Sequence, residues 1–233
     1  MRRILDFIVS LTGLLVFGPV ILVFAFLIWL QDKSSPLYLA VRAGRDAKPF
    51  RMVKLRSMVA NADRIGGDST AGDDMRITPI GTLVRRYKLD ELTQLWNVLV
   101  GDMSLVGPRP NTLREVETYT EAERQLLSVR PGITDFSSIV FADEGEILRG
   151  HADPDDAYQK LIRPYKSRLS LVYVNNKSLM LNIRLVFLTV LAVVHRAAAL
   201  RRVATLLAKN GASEDLVAVA YRTVPLSPGS ILE

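Results

Sequence analysis

Residues 7–30, FIVSLTGLLVFGPVILVFAFLIWL, form a run of 24 positions without a charge. A core helix of a globular protein seldom needs that, whereas the hydrocarbon core of a bilayer takes about 20 apolar residues at ~1.5 Å each. A secretory signal is the rival reading, with Arg2 and Arg3 as its basic start. The run exceeds a usual signal core of about 7–15 residues, and no small-residue cleavage site follows it. A membrane anchor is the better reading.

Both flanks of the run are cationic. Arg2 and Arg3 precede it, and Lys33, Arg42, Arg45, Lys48, Arg51, Lys54 and Arg56 follow with only Asp32 and Asp46 among them. Cationic flanks favour the cytoplasmic side, so a straight span would put one basic cluster on the wrong face. Gly18-Pro19 lies midway, and Pro19 cannot donate to the carbonyl of Leu15, which predicts a kink. Each half is about 17 Å long as helix, too short to cross alone. On charge and proline alone, a kinked spanning helix and a re-entrant pair of half-helices are equally open.

The remaining chain is long enough for one domain with an appendage. With 49% hydrophobic and 23% charged residues among 233, it can bury a core, which excludes wholesale disorder. There is no Cys, and the only His are His151 and His195. Disulfides, thiolate metal sites and Cys nucleophiles are thereby excluded, and two His leave little room for an imidazole triad or a three-His metal site. Any chemistry falls to carboxylates, Arg and Lys, and a hard cation. The net charge of +6 is spread along the chain and only 7% of residues are aromatic, a poor match to nucleic-acid binding.

Residues 36–59 alternate partly and carry β-branched and aromatic positions around Gly44 and Pro49, predicting a short hairpin or an irregular basic segment. Residues 60–79, with Gly66, Gly67, Gly72 and several Asp, predict an exposed loop. Apolar residues at three- and four-residue steps predict one helix over 82–100, a second over 112–128, and two more over 154–175 and 178–208. The uncharged stretch 185–194 is too short to span and reads as core or interface-lying. The basic residues from His195 to Lys209 suit either anionic headgroups or a solvated face. Residues 222–233 read as a loose tail.

The chemistry concentrates in residues 85–110, RRYKLDELTQLWNVLVGDMSLVGPRP. Asp90 and Glu91 are adjacent carboxylates in a segment otherwise basic and apolar. On a helix they project about 100° apart and can border one cavity. The bland alternative pairs Asp90 with Arg86, four residues earlier, in a solvated salt bridge worth about 0.3–0.5 kcal/mol. Against it stand the dense basic stretch 42–56, including Lys54 and Arg56, and Arg109, held between two prolines. Guanidinium groups preset beside carboxylates suit a phosphate ligand, because Arg meets phosphate oxygens bidentately. A carboxylate can attack phosphorus once the electrophile's charge is neutralised, by Arg and by Mg²⁺. No Walker glycine loop or dinucleotide fingerprint occurs.

These segments resemble the monotopic phosphoglycosyl transferases, bacterial sugar transferases that begin glycoconjugate or polysaccharide synthesis on a polyprenyl phosphate. The likeness runs from Arg3 to about Val194. It rests on RRILDF and Pro19, KPFRMVKLRSM at 48–58, the block 85–110, and VRPGIT at 129–134. The resemblance implies a mainly α fold with a small β-hairpin: an N-terminal re-entrant membrane helix over 1–34, a compact cytoplasmic catalytic domain with amphipathic interfacial helices over 35–208, and a C-terminal extension over 209–233. It implies transfer of a phosphosugar from a UDP-sugar to undecaprenyl phosphate with release of UMP and Mg²⁺ as cofactor. The setting is the cytoplasmic face of a bacterial inner membrane, among membrane lipids, with a homodimer as an open possibility. Asp90 falls on the family's nucleophile and Glu91 on its partner in Mg²⁺ binding and proton handling. Arg85 and Arg109 match positions that hold phosphate or nucleotide.

Two departures stand out. The family breaks its anchor at Ser-Pro, where this chain has Gly18-Pro19, losing a hydroxyl that could satisfy a freed carbonyl in lipid. Residues 131–148, PGITDFSSIVFADEGEIL, replace the PGITG-W/L-AQV continuation of many relatives, and 135–148 is the expected seat of donor-sugar discrimination. From a different class, a membrane-tethered basic adaptor for acidic lipids would also account for the anchor and the charge.

Overall fold

A computed structural model describes residues 2–67, 69–223 and 226–228. The first element, α1 (Arg2–Asp32), is helical without interruption on both sides of Pro19 and is long and apolar enough to cross a membrane. The helix runs through Gly18-Pro19. Leu15, Val16, Leu22, Val23 and Phe26 point outward, while Ile28 packs with Leu55 and Val84.

Both ends of α1 are tied to the rest of the chain. Near its start, Arg3 donates to the carbonyls of Val98 and Leu99, and Arg2 donates to Tyr173 (2.6 Å) and Asn182 (3.2 Å). Asp6, almost fully buried, accepts from the Ser104 hydroxyl (2.8 Å) and the Leu105 amide (3.1 Å). At its end, Asp32 takes both terminal nitrogens of Arg56 at 2.5 and 2.6 Å.

The expected hairpin forms as β1 (Leu37–Ala43) and β2 (Pro49–Leu55), antiparallel with Ala40 opposite Met52 and Arg42 opposite Phe50. Because alternate side chains share a face, Arg42 and Lys54 stand beside buried Ala40 and Met52. Of the stretch expected as an exposed loop, residues 60–67 and 69–78 form a connection with one short 3₁₀ turn (Ala62–Arg64), in which Ala62 and Ala71 are buried.

The helix expected over 82–100 is instead three pieces: α2 (Pro79–Arg86), α3 (Leu89–Leu92) and α4 (Leu95–Val100). The break sits at Lys88, whose φ of 54° and ψ of 31° are left-handed. A non-glycine residue there stores about 1–3 kcal/mol of strain, and such strain persists only where surrounding packing fixes it. The apolar spacing carries only a faint trace of this: Leu83 and Tyr87 are four apart and Leu92, Leu95 and Leu99 three and four apart, but Tyr87 to Leu92 is a step of five.

Two more expected helices divide, each for a local reason. Over 112–128, Thr112 caps α5 (Leu113–Glu117), and Thr120 forms a capping box with Glu123 that starts α6 (Glu121–Arg124), followed by a 3₁₀ turn. Over 178–208, His195 ends α11 (Leu179–Val194), and its Nδ1 accepts from the Ala198 amide (3.3 Å) to cap α12 (Arg196–Lys209). The helix over 154–175 is present as α9 (Pro154–Ala157), a π turn (Tyr158–Ile162) and α10 (Arg163–Asn176). Pro164 cannot donate to the ladder, and the wider turn lies immediately before it. The expected loose tail falls largely outside the described residues; within it, Ser227 accepts from Tyr165 (3.0 Å).

A second small sheet is parallel: β3 (Ser104–Val106) pairs with β4 (Gly132–Thr134). Gly132 is required here, because a Cβ would sit 2.0 Å from the Gly107 nitrogen. The GPRP and VRPGIT segments are thus one structural unit, tied by Gly132 N–H to Pro108 (2.9 Å) and Gly107 N–H to Thr134 (2.9 Å). Beyond them lie α7 (Phe136–Val140), α8 (Glu144–Leu148) and α13 (Glu214–Tyr221). The core joins Phe136, Leu148, Leu169, Leu185, Leu207 and Leu216, so α10 to α13 back the wall that faces the site. On α11, Leu181, Leu185 and Leu188 face this core, while Met180, Ile183, Phe187, Val190 and Val194 form an exposed apolar stripe.

Candidate active site

Asp90 and Glu91 occupy the first turn of α3, the piece released by the bend at Lys88. Two polar side chains then dock α3 and α4 on β2. The Thr93 hydroxyl donates to Val53 (3.0 Å), and Asn97 accepts from the Val53 amide (2.9 Å) while donating to Arg51 (2.8 Å). The strand that carries Lys54 and the turn that carries the carboxylates are fixed together by these bonds. Neither Thr93 nor Asn97 is marked by the apolar spacing or the charge pattern of the sequence.

The carboxylates open into a groove of about 1260 Å³ that is also lined by Arg42, Lys54, Arg85, Lys88, Arg109 and Glu144. Lys54 Nζ lies 3.9 Å from Asp90 Oδ2, and Arg109 Nη1 lies 3.1 Å from Glu91 Oε1. Lys88 Nζ approaches the same Glu91 oxygen at 3.7 Å. Asp90 keeps 16% of its side chain exposed, enough to be reached from the groove and too little to be freely solvated. Arg85 Nε donates to Ser57 Oγ (3.1 Å) from the adjoining wall.

Each charge is tuned by this crowding. Burial, with Arg109 and Arg42 reinforcing it, pulls the Lys54 amine down to about 8, against Asp90 and Glu91. Burial pushes Glu91 up, but Lys88, Arg109 and Lys54 together hold it below the usual carboxylate range, so it is ionised at neutral pH. Arg109 is raised: burial opposes its charge, and Glu91, Glu144 and Asp90 outweigh burial. Burial lowers Arg85, with Asp90 and Asp74 opposing. Two carboxylates beneath several cations have the charge pattern that suits a di-anionic ligand, and a carboxylate so placed has the chemistry to attack phosphorus.

The structure brings together Asp90, Glu91, Lys54, Arg85 and Arg109. Arg56 borders the groove too, but both its terminal nitrogens are engaged by Asp32. Gly18 and Pro19 lie within α1, outside the groove lining. The alternative partner of Asp90, Arg86, makes no ion pair among the described residues; its guanidinium lies 5.8 Å from the Tyr87 ring centroid. The bend at Lys88 removes the four-residue helical spacing on which that pairing depended.

Among the described residues, no group of three or more carboxylates or imidazoles gathers into a metal cage. Mg²⁺ does not require one. It takes hard oxygen ligands, commonly one or two carboxylates completed by substrate phosphates and water. The donor set of Asp90 and Glu91 fits that habit.

The segment 135–148 splits by role. Asp135, Phe136, Val140 and Leu148 are buried, and Asp135 accepts from Ser137, Ser138 and Ser170. Ser138, Ala142, Glu144 and Glu146 line the groove. Lys166 pairs with Glu144, a contact between residues 22 apart that no local pattern announces.

Residues 1–196 match the profile of a family described as bacterial sugar transferase. The chain is 33% identical over 193 residues to a UDP-N-acetylgalactosamine-undecaprenyl-phosphate N-acetylgalactosaminephosphotransferase of Aeromonas hydrophila, covering 81% of this chain and 42% of that protein. It is 34% identical over 194 residues to a UDP-glucose:undecaprenyl-phosphate glucose-1-phosphate transferase of Klebsiella pneumoniae, covering 81% and 39%. The exopolysaccharide production protein PSS of Rhizobium leguminosarum bv. phaseoli is 34% identical over 203 residues, covering 82% of this chain and 94% of that protein. The chain thus spans less than half of the first two relatives and nearly all of the third.

Proposed function

From the premise that this chain belongs to the bacterial sugar transferase family, we propose that it moves a phosphosugar from a UDP-sugar to a polyprenyl phosphate such as undecaprenyl phosphate at the membrane. The observation that carries this reading is the Asp90–Glu91 pair beneath Lys54, Arg85 and Arg109 in one groove.

In the first half, an Asp90 carboxylate oxygen attacks the sugar-bearing phosphorus. The P–O bond to the nucleotide breaks, UMP leaves with the electron pair, and a phosphosugar is left on Asp90. In the second half, a phosphate oxygen of the polyprenyl acceptor attacks the same phosphorus. The bond to Asp90 breaks, restoring the carboxylate and yielding a polyprenyl diphosphosugar. Lys54, Arg85 and Arg109 neutralise the donor's phosphates so that an anionic nucleophile can approach. Asp90 and Glu91 would hold Mg²⁺, which supplies further charge neutralisation at the phosphoryl oxygens.

The anchor belongs to the same reading. Straight, 31 residues of helix extend about 46 Å, yet both ends of α1 bond to one globular unit. With Leu14 and Ile21 between those ends also packed on the unit, both basic flanks stay on one face, which favours an anchor held in one leaflet over one that crosses the bilayer. Arg56, through Asp32, is then a positioning residue for the anchor. The stripe on α11 suits the same membrane face. A basic adaptor needs neither a shielded carboxylate pair nor a groove. Incubating the protein in nanodiscs with polyprenyl phosphate and a panel of UDP-sugars tests the reading: UMP release supports it, and none from any donor rejects it.

Two further outcomes are expected. Arg109→Ala removes a cation that touches Glu91 and faces the donor, so kcat/KM for the UDP-sugar falls about 10²-fold or more while membrane association is unchanged. Loss of the protein from membranes would make Arg109 structural. Lys54 loses its proton as pH rises through about 8, so kcat/KM, which reports the free enzyme, falls above that pH. Lys54→Arg keeps the charge and moves the falling limb to higher pH; a limb that stays in place assigns it to another group.

A further inference from the structure

Beyond Arg109 the groove continues to a polar end that the two transfer steps do not use. Glu115 stands there, in the first turn of α5, six residues after Arg109 (115 − 109) on the connection that Pro110 stiffens. Its backbone amide donates to the Thr112 side chain (3.1 Å), which fixes where its own side chain starts. The side chain enters the groove, and Oε1 is shut off from solvent with no hydrogen-bond partner among the described residues.

A carboxylate oxygen in that condition is costly unless something donates to it. Two nearby cations are committed elsewhere: Arg163 to Glu123 (3.0 Å) and Lys166 to Glu144. Burial raises the Glu115 carboxyl despite Arg163, Lys166 and Arg42. Tyrosines complete the surroundings. Lys166 Nζ lies 5.4 Å from the Tyr158 ring centroid, and Asn111 donates to the Tyr119 hydroxyl (2.8 Å).

The chemistry of the missing partner follows by charge. A metal ion is repelled by Arg42, Arg163 and Lys166, and a di-anionic phosphate, which brings acceptors and no donor, would leave Oε1 of Glu115 unsatisfied. What fits is a neutral group rich in O–H donors. The location agrees, because Arg42 acts electrostatically on both Lys54 and Glu115 and so joins this end to the phosphate site. Resting on the transferase reading above, we propose that Glu115 recognises the sugar of the donor, its carboxylate accepting hydrogen bonds from hexosyl hydroxyls while the diphosphate lies on Lys54 and Arg109.

The test compares wild type, Glu115→Gln and Glu115→Ala as full-length protein in nanodiscs, with UDP-glucose, UDP-galactose, UDP-N-acetylglucosamine and UDP-N-acetylgalactosamine. For the donor wild type prefers, kcat/KM falls about 10–100-fold in both variants, the loss of a hydrogen bond to a charged group. Donors whose hydroxyls miss Glu115 fall less, so the preference ratio narrows. The inhibition constant for UMP, which has no sugar at this end, stays within about twofold of wild type, showing that the rest of the site is intact. An unchanged preference ratio overturns the inference, as does UMP binding weakened by the same factor, which would put the nucleoside at Glu115. Wild type releasing UMP from no donor overturns the transferase reading itself, an outcome distinct from either.

Discussion

Replacing Asp90 with Asn stops turnover: kcat falls by at least about 10⁴, the scale on which loss of a nucleophile is felt, and no phosphosugar adduct can be trapped. The amide keeps the shape of the side chain and loses the anionic oxygen that must bond to phosphorus. Folding should survive. The only ion-pair partner of Asp90 among the described residues is Lys54 at 3.9 Å, a loose contact worth about 0–1 kcal/mol. The α3 turn is held by Thr93 and Asn97, which the substitution does not touch. UMP release and adduct trapping are therefore read on a protein whose melting is near wild type. Appreciable turnover in the variant would refute Asp90 as the nucleophile.

The largest effect on stability is expected at Glu123, which takes no part in the proposed chemistry. It is fully buried and accepts from Arg163 (3.0 Å), the Ser167 hydroxyl (2.7 Å) and the Thr120 amide (3.1 Å). Glu123→Ala leaves the Arg163 guanidinium buried without its counter-ion and removes half of the capping box of α6, for a loss of about 3–5 kcal/mol. Denaturant titration in detergent reads this directly. Adding Arg163→Met should recover part of the loss, because no guanidinium is then buried without its counter-ion, while the space vacated at position 123 stays unfilled. A single variant as stable as wild type would show that the pair is dispensable.

The sequence is most legible where one physical cause dominates. Lipid demands an uncharged run, so the anchor announces itself over residues 7–30. Alternation marks the hairpin, and the carboxylates at 90 and 91 amid cations mark the site, which the structure gathers with Lys54, Arg85 and Arg109 into one groove. Legibility fails where a single local event outranks periodicity. Lys88 turns left-handed, Thr120 captures Glu123, and His195 caps with its imidazole, so three expected helices are divided. The pairing of Asp90 with Arg86 fails for the first of these reasons. Glu115, Glu144 and the engagement of Arg56 by Asp32 depend on long-range packing, which spacing along one chain does not encode.

Asp6 shows what this architecture forbids. Its carboxylate, on α1, grips Ser104 and Leu105, and the chain runs from there directly into the loop bearing Arg109. Cutting away α1 to obtain a water-soluble enzyme would also strip the cover from Leu55 and Val84 and leave the Arg56 guanidinium without its carboxylate. The apolar helix braces the segments that carry the groove without lining it, so solubility and a well-set site are competing goals for anyone redesigning this protein.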